Sequence, residues 1–227
     1  DDAAQDIDGD FAEEMKTCER MLAFEGLERR QQAEILRRMG SSSSKVGDSA
    51  KAKDLLQKAL TVLGAAGDAL ELARIRNLLA TLISKSSPSE AIPMHEAYLQ
   101  AATGANSAKD VALAHKAMGG VHFYANRFDE AILSWKEALR AYDSLNDDFG
   151  RSDILVNLGV IYNIKGDTQS SLDALGDGIA KKEKIGDYKR LASALNNLGL
   201  AFTSSCNFEK AMESLKKSLE VKIRVGD

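Results

Sequence analysis

Residues 191–202, LASALNNLGLAF, place leucines at 191, 195 and 198 and a phenylalanine at 202, at spacings of four, three and four. Such spacing gathers all four on one face of an α-helix. Between them stand Asn196 and Asn197, a residue type that forms helix poorly. Similar letters occur forty residues earlier as ILVNLGVIY (154–162), and more faintly as RIRNLLATL (74–82). The stretch is thus one copy of a repeat, and the repeat decides the fold.

Its period shows in the dipeptide Gly-Asp, which recurs at 47, 67, 166, 186 and 226, with Asn-Asp at 146, while two further copies at 9 and 176 fall outside the series. Anchoring on the glycine after Asn-Leu gives Gly159 and Gly199. Stepping back lands on Gly119, Leu79 and Gly40, with a single one-residue slip. Twelve residues after each anchor comes a small residue, Ala52, Ala91, Ala131, Ser171 or Ala211. Four further on stands Leu56, His95, Trp135, Leu175 or Leu215. Each unit therefore carries two helices. The turn between them is marked by CNF at 206, GDT at 166 and NRF at 126, residues suited to left-handed or capping conformations. In the second unit Ser87, Pro88 and Glu90 form an expected helix start, with Pro93 inside the helix as a bend.

Periods of this length mean a solenoid in which each helix pair stacks on its neighbours. LGVIY at 158–162 and LGLAF at 198–202, each followed by the small and then the bulky residue, resemble the tetratricopeptide repeat. The long period with its closing Gly-Asp is similar to that of Pins-family scaffolds and kinesin light chain. The resemblance implies an all-α solenoid of stacked antiparallel helix pairs, about five repeats over 28–227 after an N-terminal helix. The expected repeats run 28–67, 68–106, 107–147, 148–187 and 188–227. Residues 1–10 are expected as a disordered acidic leader, and 11–26 as a capping helix or degenerate repeat opened by Asp10 with Glu13. The alternation Asp6, Asp8, Asp10 does not complete a calcium loop, because position twelve from Asp6 is Thr17 rather than Glu. A chain closing at a repeat end without a polar cap is expected to belong to a longer protein, or to pack against another copy.

Composition agrees with helix and excludes several functions. The chain has 44% apolar and 28% charged residues with only two prolines, so a packed helical core is within reach. A net charge of −4 offers no nucleic-acid footprint, and no run of apolar residues is long enough to insert in a membrane. A cytoplasmic protein is expected. Cys18 and Cys206 have no metal-ligand spacing, no phosphate loop or metalloprotease signature is present, and neither enzyme activity nor a cofactor is expected. His95, His115 and His122 could approach one another in the stack, but each fills a slot held elsewhere by core residues, as does Trp135. The run Ser41–Ser44 is expected to weaken a helix end.

The resemblance also implies a concave groove lined by the first helix of each unit, at positions six and two before the anchor and one and five after. Two before the anchor stand Arg38, Asn77, Ala117, Asn157 and Asn197; one earlier stand Arg37, Arg76, Lys116, Val156 and Asn196. Asparagine offers a donor and an acceptor, so a series of them can grip the backbone of an extended peptide, while the cations attract carboxylates. The expected binding residues are Arg37, Arg38, Arg76, Asn77, Lys116, Asn157, Asn196 and Asn197. The family's chaperone-type clamp needs a lysine six before the anchor, and no unit has one. The expected function is a protein–protein interaction scaffold for an extended acidic segment. The alternative is a structural module that self-assembles through the solenoid ends.

Overall fold

A computed structural model describes residues 5–64 and 67–226. Its described residues form helices and turns, with no strand. Helix α1 (Gln5–Leu22) is followed by five antiparallel pairs: α2 (Arg29–Lys45) with α3 (Ser49–Leu63), α4 (Ala69–Ile83) with α5 (Pro88–Gly104), α6 (Ala108–Tyr124) with α7 (Phe128–Ser144), α8 (Asp148–Ile164) with α9 (Thr168–Ile185), and α10 (Tyr188–Ser204) with α11 (Phe208–Val225). Each pair packs against the next, which is the all-α solenoid expected from the period.

The recurring Gly-Asp is a punctuation mark with two halves. Gly47, Gly166 and Gly186 hold φ of 87°, 79° and 76°, the left-handed geometry that ends a helix. The aspartate that follows caps the next helix: Asp48, Asp167 and Asp187 accept from the backbone N–H groups of Lys51, Ser170 and Arg190. Asp68 and Glu71 complete a reciprocal capping box, as do Glu28 and Gln31. Ser87 precedes Pro88 as expected but makes no side-chain cap bond. Its φ of −139° turns it away from the geometry near −80° that the capping aspartates hold.

The anchor glycines are explained by the bulky residue sixteen positions later. A Cβ on Gly40, Gly159 or Gly199 would press into Leu56, Leu175 or Leu215, and one on Gly119 into the Trp135 ring. Trp135 itself is buried and donates its ring N–H to the Lys116 carbonyl at 3.2 Å. In α4 the structure corrects the register: the buried anchor is Ala80, fully enclosed, and not Leu79, which is only partly buried. Counting from Ala80, the slot seven before the anchor reads Ala33, Ala73, Ala112, Ser152 and Ala192, and the slot five before reads Ile35, Ile75, Ala114, Ile154 and Ala194, all buried. The missing residue lies in the α4–α5 turn. The left-handed residues Gly47, Asn126, Gly166 and Cys206 of the other units have no equivalent between 84 and 87.

A further expectation changes. The helix expected to open at Asp10 starts at Gln5, while residues 1–4 lie outside the described residues. Carboxylate-rich sequence suits the positive end of a helix. Ser41–Ser44 lie within the last turns of α2, which continues to Lys45. Ser42 and Ser43 are buried, and the Ser42 hydroxyl donates to Glu14 of α1 at 2.6 Å. The same α1 seals the first pair with Met15, Cys18 and Leu22.

Candidate functional site: the groove of the first helices

The first helices α2, α4, α6 and α8 enclose a groove of about 730 Å³. It runs along α6 from Lys109 to Tyr124, with α4 as its second wall, and reaches Glu34 and Arg37 on α2 and Asn157 on α8. A neighbouring cavity of about 500 Å³ between α1, α2 and α4 shares Glu34, Arg37 and Arg74 with it.

Four of the eight expected residues meet there: Arg37, Asn77, Lys116 and Asn157. Arg38 turns to α1 and pairs with Glu14 at 3.2 Å. Arg76 lies on the other flank of α4, beside Pro93 and Met94 of α5. The corrected register explains this, since Arg76 is four, not three, before the true anchor. Asn77 accordingly belongs with Arg37, Lys116, Val156 and Asn196, and it leaves the series of Asn157 and Asn197. Asn196 is exposed and Asn197 half-buried on α10, beyond the groove's end at α8.

Most of the groove's charge is already matched within the chain. Arg37 holds Glu34 at 2.6 Å, and Lys116 reaches across to Asp153 on α8 at 2.7 Å. Arg74 grips Asp110 with two bonds of 2.8 and 2.6 Å. Asp110 also accepts from the Tyr98 hydroxyl at 2.7 Å and from Ser107. Burial pushes the Asp110 carboxyl up, but the bonds from Arg74, Ser107 and Tyr98 and the Arg74 charge outweigh it and hold the group well below the carboxylate range. Burial and the same carboxylate push the Tyr98 hydroxyl upward. This cluster ties α4, α5 and α6 together. Sequence reasoning missed it because Arg74, Tyr98 and Asp110 occupy unrelated slots.

Behind the groove wall, His95 is fully enclosed. Its Nδ1 lies 2.7 Å from the Asn77 side-chain oxygen and its Nε2 3.1 Å from the Ser84 hydroxyl. Burial, reinforced by the nearby His122, lowers its pKa to about 4, so the ring is neutral at physiological pH and donates from Nδ1 to Asn77. The order Ser–His–Asn follows that of hydrolytic triads. Here, however, Nε2 can only accept, so the single Ser84 proton is divided between it and the Ala80 carbonyl at 2.8 Å, and no face of the imidazole reaches solvent. The three residues close the α4–α5 interface. Among the described residues no group of three or more His, Cys, Asp or Glu is placed to hold a metal ion, and no helix is long and apolar enough to cross a membrane.

Comparison with known proteins agrees with this architecture. Residues 192–222 match the model of the tetratricopeptide repeat. The regulatory protein RapG of Bacillus subtilis (strain 168) is 28% identical over 105 residues, 46% of this chain; the chain spans about 29% of that relative's length. A Rap protein solved in complex with Competence and Sporulation Factor superposes with a TM-score of 0.73 at 14% identity, covering 98% of this chain and 73% of that one. The putative kinesin light chain repeats of Podosopora anserina give 0.67 at 12% identity, covering 88% and 99%. The molecule is a helical-repeat solenoid. More particularly, its last helix pair matches the tetratricopeptide repeat over residues 192–222.

Proposed function

We propose that this chain is a protein–protein interaction scaffold that holds an extended, carboxylate-bearing segment of another protein in the groove along α6. The carrying observation is a groove of about 730 Å³ whose lining cations are paired internally except for Lys109. That lysine makes no ion pair among the described residues. Asn157 and the amide nitrogen of Asn77 supply uncharged partners for a peptide backbone. The Rap neighbour, solved as a complex, is in keeping with a solenoid of this kind acting by holding a partner.

The test is selection of random dodecapeptides displayed on phage, followed by fluorescence polarisation with the synthetic winners. Lys109→Glu and Asn157→Ala should each weaken binding by about tenfold, near 1.4 kcal/mol, while Arg76→Ala on the opposite flank should leave it unchanged. Equal losses from all three, or no winner tighter than about 100 µM, would remove the reading.

A second reading is self-association through α11, whose Phe208, Met212, Leu219 and Ile223 are 65%, 59%, 57% and 70% exposed. Sedimentation velocity over a concentration series tests it: dimers should form in the wild type and vanish in Leu219→Lys. A concentration-independent monomer rejects it.

A further inference from the structure

Gly119 and Gly120 are adjacent in α6, yet only the first has a packing reason. A Cβ at 119 would enter the Trp135 ring, whereas one at 120 meets nothing within 4 Å. Glycine weakens a helix interior, so position 120 carries a cost that no neighbour in the chain explains. It faces the groove together with Ala117. One turn before Ala117 and one turn after Gly120, on the same face, stand Leu113 and Tyr124, 38% and 47% exposed. Large apolar walls at both ends, a bare backbone between them and the fully buried Val121 beneath make a notch in the groove. Leu78 and Thr81 of α4 form its far side.

Lys109 lies on the same face, one turn before Leu113. It occupies the second position of α6, where the positive end of the helix dipole disfavours a cation. Its charge serves neither the helix nor an internal pair. Nine to ten residues of helix, about 14 Å, separate it from the notch. An extended chain covers that span in about four residues.

We propose that the notch receives one bulky apolar side chain of an extended peptide whose carboxylate, about four residues away, meets Lys109. The proposal rests on the groove reading above and adds the identity and spacing of the two side chains recognised. Apolar walls exclude water around the anchor, and Lys109 fixes its register along α6.

The test uses fluorescein-labelled, terminally blocked dodecapeptides in a positional-scanning library. Binding should require Leu, Met or Phe at one position and Asp or Glu about four positions away, and moving the two apart by two residues should abolish it. Gly120→Leu fills the notch in open space and should cut affinity at least tenfold with thermal unfolding unchanged or raised. Lys109→Glu should remove the carboxylate preference while the apolar preference stays. Peptides that bind without an apolar requirement, or with affinity unaltered by Gly120→Leu, overturn the notch; if Asn157→Ala still weakens them, the groove reading survives. Absence of any binder overturns both.

Discussion

The two neighbouring glycines of α6 allow a paired prediction on one helix. Gly119→Ala forces the new methyl against Trp135 and should destabilise the chain by about 1–3 kcal/mol, since a packed core resists added volume. Gly120→Ala enters open space and should stabilise it by about 0.5–1 kcal/mol through helix propensity and a less free unfolded state. Urea unfolding of the two variants side by side checks both signs. His95 gives a pH prediction. Its folded pKa of about 4 lies below the ordinary imidazole value, so between about pH 6.5 and 4 the unfolded chain binds the extra proton. Stability should fall as pH drops through that window, by at most about 3 kcal/mol from this residue. Burial lowers His115 and His122 as well, adding the same sign. His95→Gln should flatten the pH dependence of the urea midpoint, and an unchanged slope would assign the effect elsewhere. The forty-residue register singles out Gly119 as the packed anchor; what the letters do not give is the open space beside Gly120.

At the scale of elements, the helix pairs were legible because apolar spacing, anchor glycines and Gly-Asp punctuation all report the same packing. The α4 register was not, because Leu79 and Ala80 both suit a helical stripe. Only the enclosure of Ala80 and the short α4–α5 turn distinguish them. That single residue moved Arg76 out of the groove and Asn77 into another series. Lys109 went unnoticed for a different reason, since an unpaired cation is defined by the partners it lacks. The turn slot itself yields a prediction. Cys206 holds φ of 57° where Gly47 and Gly166 stand in sister units. A left-handed backbone costs a non-glycine residue about 1–2 kcal/mol, partly offset by the freedom glycine loses on folding. Cys206→Gly should therefore stabilise the chain by about 0.5–1 kcal/mol and Cys206→Val should destabilise it, as read from urea midpoints under reducing conditions.

The solenoid as a whole holds together through neighbour contacts, which makes the effect of damage local. Lys182 is the sharpest case. It is 2% exposed and bonded to Asp153 at 2.7 Å and Asp187 at 3.1 Å, while Lys116 takes the other Asp153 oxygen at 2.7 Å. This chain of charges joins α6, α8, α9 and the turn into α10. Three consecutive units, including the one that carries the groove's main wall, thereby share one ion-pair network, buried at Lys182 and half-exposed at Lys116. Removing one member strands the others where water cannot replace it, so Lys182→Ala should cost about 3–5 kcal/mol. The expected pattern in hydrogen exchange is faster opening of α8 to α11 with α2 to α5 unchanged, because among the described residues the main helix contacts lie within a unit or between adjacent units. Uniform acceleration over all helices would instead mean that the solenoid opens as one cooperative body. A loss below about 1 kcal/mol would mean that the two aspartates find solvent when the lysine is gone.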